Sequence, residues 1–143
     1  MAPDSIPAED TACKRVLAAI PDLFFGSKVS GTAKQLGISV RFAGSRQALV
    51  EAAHSRPDLI IVDLDATAVD PLGVVGELRS FAPSGAPRLI AFASHVRESV
   101  LQQARSAGYD EVLTRGALAA NLPGLLASLR SGRPEGSVRS PPG

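Results

Sequence analysis

The sequence has little of what usually stabilises very small or secreted domains. It contains one cysteine, Cys13, five phenylalanines, one tyrosine and no tryptophan. A lone cysteine excludes an internal disulfide and a metal site made of several thiolates, and this usage fits a reducing compartment. Because aromatic residues are so few, a core must be built mainly from Leu, Ile, Val and Ala.

Long apolar runs and an excess of one charge are also absent. No stretch approaches the roughly eighteen apolar residues that a membrane-spanning helix needs, and the first residues, MAPDSIPAED, lack the basic and apolar regions of a signal peptide. Fifteen Lys and Arg residues against fourteen Asp and Glu residues leave a net charge of +1, which gives no electrostatic footprint for nucleic acid. We therefore expect a cytoplasmic globular protein that binds neither membranes nor nucleic acids.

Composition divides the chain into one folded body and two tails. A length of 143 residues suits a single domain. Proline, glycine and serine are concentrated at both ends, where too little apolar area is available to offset the entropy lost on ordering. We predict a flexible segment over residues 1–13, a folded domain over 14–131 and a flexible tail over 132–143.

Inside the predicted domain, apolar runs alternate with stretches of helical periodicity. Five segments have the lengths and apolar patterns of strands: RVLAAI, ISVRFA, DLIIVDL, RLIAFAS and EVLT. Helices are predicted in the segments after them: FFGSKVSGTAKQLG, RQALVEAAHS, PLGVVGELRSF, RESVLQQARSAG and LAANLPGLLASLRS. Pro123 lies within the last segment, so its first turns are predicted to be irregular or the helix to begin at that proline.

Five repeats of strand and helix predict a doubly wound α/β fold, with a five-stranded parallel sheet covered by helices on both faces. DLIIVDL is apolar at consecutive positions, as expected of a central strand that is buried on both sides. Ligands and chemistry in such sheets gather at the carboxyl ends of the strands. Asp63 ends this central strand and therefore lies where a site is expected.

The pattern resembles the response-regulator receiver domain, the CheY-like fold. PDLIIVDLD resembles the family's segment around its phospho-accepting aspartate, and SHVRESVLQQARSAGYDEVLTR resembles its fourth helix and fifth strand. The resemblance covers nearly all of residues 14–131 and puts Asp63 at the phosphoacceptor position. It implies a divalent metal held by an acidic pair at the end of the first strand, and a hydroxyl residue and a lysine that bind the phosphoryl oxygens.

Most of that apparatus is missing from this sequence. The positions of the acidic pair fall on Ile20 and Pro21, whose side chains cannot ligate a metal, and Asp22 lies one position late. The hydroxyl position falls on Ala93 and the lysine position on Arg115. Arginine keeps the positive charge but lacks the compact ammonium group, so this exchange is not conservative in a tight pocket.

Two interpretations of Asp63 follow. In the one that we favour, Asp63 is a strand-end carboxylate paired with Arg115, the pair locks one conformation, and no metal or other cofactor is bound. In the other, Asp63 accepts a phosphoryl group, and Asp22 or Asp65 completes an unorthodox Mg²⁺ site.

The surface is predicted to carry the function. The resemblance implies a readout face formed by the fourth helix, the fifth strand and the fifth helix, and we expect Val96, Tyr109, Val112 and Arg115 to lie on it. Phe24 has two interpretations that stay open: it fills the vacated metal site, or it is an exposed aromatic residue without a role.

The favoured function is a stand-alone, atypical receiver, or pseudo-receiver, which is not an enzyme and signals by contact with a protein partner such as a histidine kinase, without aspartyl phosphorylation. The alternative is a phosphorylatable two-component response regulator that uses Asp63. A third hypothesis, an enzyme or small-ligand binder that holds an anion at helix N-termini, has no supporting motif. The identity of the partner and the oligomeric state stay open.

Overall fold

A computed structural model of the chain describes residues 15–80, 87–93 and 98–131. The strands are β1 (Arg15–Ala19), β2 (Ser39–Phe42), β3 (Leu59–Asp63), β4 (Arg88–Ala93) and β5 (Glu111–Thr114). The helices are α1 (Leu23–Gln35), α2 (Arg46–Ala53), α3 (Val74–Ser80), α4 (Glu98–Ala107) and α5 (Arg115–Ser131), and a 3-10 turn covers Thr67–Val69. Every predicted strand and helix is present. The two predicted tails lie outside the described residues, so the domain limits stay a prediction.

All five strands lie in one parallel sheet, in the order β2-β1-β3-β4-β5. The central strand is β3, and every one of its residues is buried. Its last residue, Asp63, pairs in register with Phe92 of β4. The predicted doubly wound α/β fold is confirmed, and Asp63 lies at the carboxyl edge of the sheet.

Two apolar layers cover the two faces of the sheet. One layer packs α1 and α5 against the strands, where Phe25 and Leu118 belong to the same buried cluster as Ile61 of β3. The other layer packs α2, α3 and α4 and includes Val62. Successive side chains of a strand point to opposite faces. Asp63 is two positions after Ile61, so its side chain lies on the same face as that of Ile61, the face covered by α1 and α5.

The last helix begins earlier than predicted and continues through its proline. It starts at Arg115, directly after β5, where the Thr114 hydroxyl oxygen accepts a hydrogen bond of 3.1 Å from the backbone N–H of Ala117. Pro123 lies inside the continuous helix, so the predictions of irregular first turns and of a start at the proline were wrong. Burial of Leu118 against the sheet stabilises the turns before the proline. Arg115 consequently lies in the first turn of a helix.

Candidate functional site

Asp63 is a buried carboxylate at the end of the central strand. Only 3% of the residue is exposed, and no other charged or polar residue in the described ranges is buried to this extent. Its Oδ1 atom accepts a hydrogen bond of 2.9 Å from the backbone N–H of Asp65, which closes a turn of the Asx type. Across the sheet it faces Phe92, whose ring packs against Phe25 with centroids 5.1 Å apart. The carboxylate therefore lies in largely apolar surroundings.

These surroundings raise the pKa of the Asp63 carboxyl above its ordinary value. The main cause is burial, which removes water from the charged form. The negative charges of Asp65 and Asp22 act in the same direction, whereas the Asp65 N–H and the charge of Arg115 oppose them. The site therefore disfavours negative charge on Asp63. A phosphoryl group on this residue would add further negative charge.

Asp22 begins helix α1 as its N-cap. Its Oδ1 atom accepts hydrogen bonds from the backbone N–H groups of Phe24 (2.9 Å) and Phe25 (3.2 Å). Its Oδ2 atom accepts a hydrogen bond of 2.7 Å from Arg115 Nη2. The hydrogen bond from Phe25, followed by that from Arg115, holds the pKa of Asp22 below its usual range. Both carboxylate oxygens are thus engaged in capping and ion pairing.

The predicted ion pair between Arg115 and Asp63 is wrong, because the guanidinium group binds Asp22 instead. Arg115 also lies over the ring of Phe25, with its Cζ atom 4.9 Å from the centroid. About a third of each side chain in the Arg115 and Asp22 pair is exposed. Pairing there keeps part of the hydration of both ions, whereas a pair with the buried Asp63 would lose nearly all of it. Arg115 acts on Asp63 only through its charge.

The other predicted pocket residues divide into two groups. Ile20, Pro21 and Asp65 line one cavity of about 400 Å³ at the carboxyl edge, together with Phe42 and the residues of the 3-10 turn. Ile20, at one of the family's metal-ligand positions, is buried in the apolar layer under α1. Ala93 ends β4, is buried, and offers a methyl group where the resemblance requires a hydroxyl.

The three carboxylates of the alternative metal site do not converge. Asp22 faces α1 and Arg115, Asp63 is buried, and Asp65 is exposed and contributes its backbone N–H. Within residues 15–80, 87–93 and 98–131, no three His, Cys, Asp or Glu side chains are grouped so that they could hold a metal ion. The described residues therefore do not fit the acidic metal centre that the family resemblance implies.

The predicted interaction face is corrected at Tyr109. This residue is only 6% exposed, and its hydroxyl donates a hydrogen bond of 2.6 Å to the carbonyl oxygen of Pro71. Its ring belongs to the buried layer of α2, α3 and α4, so it is a core residue and cannot contact a partner. Val112 is half-buried against the same layer. Val96 lies outside the described residues.

Exposed apolar side chains occur at the start of α1 instead. Phe24 is 90% exposed and Leu23 is 83% exposed. Phe24 therefore does not fill the vacated metal site, and that hypothesis was wrong. Leu23 was not singled out from the sequence, where the available signal was an apolar residue directly between Asp22 and Phe24.

Comparison of the sequence with protein families and with curated proteins finds no relative. No protein-family model matches this chain, and no curated protein matches it. None of the helices in the described ranges is long and apolar enough to span a membrane.

Solved structures give a consistent answer about the fold. The chain is similar to the chemotaxis response regulator CheY4 of Vibrio cholerae, with 20% identity and a TM-score of 0.68 over 82% of this chain and 98% of that one. It is also similar to the phosphorylated cyanobacterial phytochrome response regulator RcpA, with 14% identity and a TM-score of 0.70 over 86% and 98% of the two chains. A receiver domain of a Pseudomonas aeruginosa sensor histidine kinase, which coordinates magnesium in its active-site cleft, matches with 19% identity and a TM-score of 0.66, covering 82% of this chain and all of that one. The chain therefore has the fold of a response-regulator receiver domain.

Proposed function

We propose that this chain is an atypical receiver domain that signals by contact with a protein partner, without aspartyl phosphorylation. The observation that supports this most strongly is the ion pair of 2.7 Å between Arg115 and Asp22. The cation at the end of β5 and the carboxylate nearest the family's metal position neutralise each other at the N-terminus of α1. Neither is then available to a phosphoryl group or a metal.

The charge balance around Asp63 supports the same proposal. Phosphorylation adds close to two negative charges at neutral pH, and metal ions and cations normally neutralise that charge in phosphoryl transfer. Here burial already raises the pKa of Asp63, and the metal-ligand positions are occupied by Ile20 and Pro21. A receiver of this composition keeps the fold and its surfaces but lacks the groups that would stabilise the phosphorylated state.

Asp63 itself favours the competing function, a phosphorylatable regulator, because it lies at the carboxyl end of the central strand. Intact-mass spectrometry after incubation with acetyl phosphate and Mg²⁺ separates the two functions. RcpA, solved in its phosphorylated form, is the positive control. We expect a phosphoryl group on RcpA and none on this protein. A gain of one phosphoryl group that disappears in Asp63→Asn would establish the competing function.

A further inference from the structure

Helices α1 and α5 themselves carry positive charge only. These two helices contain no Asp or Glu, and their charged residues are Lys28, Lys34, Arg115 and Arg130. The sequence stays free of acids from Leu23 to Val50, through α1 and β2. The opposite layer mixes both signs within each of its helices, with Arg46 and Glu51 in α2, Glu77 and Arg79 in α3, and Glu98 and Arg105 in α4. Helix α1 is therefore basic along its length, whereas the acids on this side of the sheet, Asp22 and Asp63, lie before its first residue and at the end of β3.

The two lysines of α1 are available for an external partner. Lys28 and Lys34 are exposed, and within the described ranges neither forms a salt bridge, whereas Arg46, Arg79 and Arg115 each bind a carboxylate of this chain. Phe24 lies one turn before Lys28 on the same side of the helix. Positive charge and exposed apolar area thus adjoin each other on α1.

The apolar part of this surface joins α1 to the edge strand β2. The ring of Phe42, which is 44% exposed, lies beside Gly26, so close that a Cβ atom at that glycine would be 3.3 Å from Cε1 of the ring. Leu23 lies one helical turn before Gly26, and Phe24 follows it. Of the four large apolar residues that are exposed in the described ranges, these three occur together, and only Leu72 lies elsewhere.

We infer that this surface, formed by Leu23, Phe24, Lys28, Lys34 and Phe42 and called the α1 surface below, binds an acidic protein segment that carries apolar side chains. Burial of the apolar residues would supply affinity, and the unpaired lysines would select carboxylates over cations. A groove of about 350 Å³ continues the surface along α1 and β2, lined by Ser30, Lys34, Gly37, Ile38, Ser39 and Val40.

An acidic protein segment fits this surface better than a membrane or a nucleic acid does. Recognition of anionic lipid usually requires clusters of four to eight basic residues, and α1 contributes two lysines over its 13 residues. A net charge of +1 gives little of the attraction that nucleic-acid binding depends on. The three exposed apolar side chains, in contrast, are typical of a protein contact.

The test is an NMR titration of the ¹⁵N-labelled chain with a synthetic amphipathic peptide made of Glu and Leu. We expect amide shifts confined to α1 and β2, and a dissociation constant that rises about tenfold or more in Leu23→Ser with Phe24→Ser, and separately in Lys28→Glu with Lys34→Glu. The matched controls on other surfaces are Leu72→Ser and Arg105→Glu, which should bind as the parent does. All these positions are exposed, and circular dichroism verifies that each variant is folded.

Three outcomes would overturn the inference. The first is equal binding of the same peptide with Lys in place of Glu, and the second is equal binding by the α1 variants. The third is no binding of the Glu peptide, whether or not α1 responds to phosphatidylserine vesicles or single-stranded DNA. The inference deepens the proposed function, because it names the surface and the class of partner, and the two can fail separately. Phosphorylation of Asp63 would refute the proposed function without touching the peptide result. If the parent chain neither binds the Glu peptide nor is modified by acetyl phosphate, the inference about the α1 surface is refuted and the proposed function is not.

Discussion

Replacing Asp63 by asparagine should change the pH dependence of stability in a defined direction. Asparagine keeps an oxygen that can accept the hydrogen bond from Asp65 but cannot ionise. Burial raises the pKa of Asp63 in the folded protein above its value of 3.8 in the unfolded chain. Between these two pKa values the folded state binds a proton that the unfolded state has lost, so the wild type loses stability as the pH rises through this window.

The size of the effect follows from proton linkage. One such group lowers the free energy of unfolding by at most about 1.4 kcal/mol for each pH unit within the window, and the loss becomes constant above the folded pKa. The free energy of unfolding of Asp63→Asn minus that of the wild type should therefore grow from about pH 4 upward and then level off. For a domain of this size, each kcal/mol corresponds to a change in Tm of about 3 to 5 °C.

Urea denaturation at closely spaced pH values measures this difference. Fitting the asparagine amide into the site changes the free energy of unfolding by the same amount at every pH, so it does not affect the pH dependence of the difference. Asp22→Asn is the matched control with the opposite sign. The folded pKa of Asp22 is lowered, so the stability that the wild type gains from Asp22 is present above about pH 4 and is lost as the pH falls through the folded pKa. A difference for Asp63→Asn that is flat, or that shrinks as the pH rises, would refute the assignment of Asp63 as a buried carboxylate with a raised pKa.

Further predictions concern the core and the backbone. Tyr109→Phe leaves the Pro71 carbonyl without its donor and should lower the free energy of unfolding by about 1 to 2 kcal/mol; an unchanged value in urea denaturation would contradict the burial of this hydroxyl. Burial raises the pKa of Tyr109, the one tyrosine of the chain, so ultraviolet titration of the folded protein should show no phenolate at a pH where the urea-unfolded protein shows it fully. Gly108→Ala should cost about 1 to 3 kcal/mol, because residue 108 has a φ of +121° and a Cβ atom would lie 3.1 Å from Val75. Gly124→Ala, within α5 and with open space around it, should instead be neutral or gain up to about 1 kcal/mol; equal effects of the two alanines on Tm would refute both assignments.

Sequence patterns were sufficient for the fold and for the position of Asp63. The apolar run Leu59–Val62 is buried on both faces and forms the centre of the sheet, as its composition predicted. Alternation of strands and helices then placed Asp63 at the carboxyl edge. These features are local or periodic, so they can be read from one chain without knowledge of tertiary contacts.

Pairings between distant residues could not be predicted in the same way. Arg115 was assigned to Asp63 because both occupy family positions, but it lies in the first turn of α5 and binds the N-cap of α1, 93 positions away in sequence. Tyr109 was placed on the surface because of its family position, yet its ring fills the layer of α2, α3 and α4. In both cases the outcome depends on which residues the rest of the chain covers. For Arg115, pairing with Asp22 avoids the desolvation that pairing with the buried Asp63 would require.

The central claim, that no phosphoryl-dependent switch operates at Asp63, is tested most directly by NMR spectra of the ¹⁵N-labelled chain with and without Mg²⁺ and beryllofluoride, a mimic of the phosphoryl group. We predict unchanged amide signals for Asp63, Asp65, Ala93 and Arg115, because on our proposal Arg115 stays paired with Asp22 and the side chains of Ile20 and Pro21 cannot hold Mg²⁺. Saturable shifts at these residues that require both Mg²⁺ and beryllofluoride, and that are lost in Asp63→Asn, would contradict it.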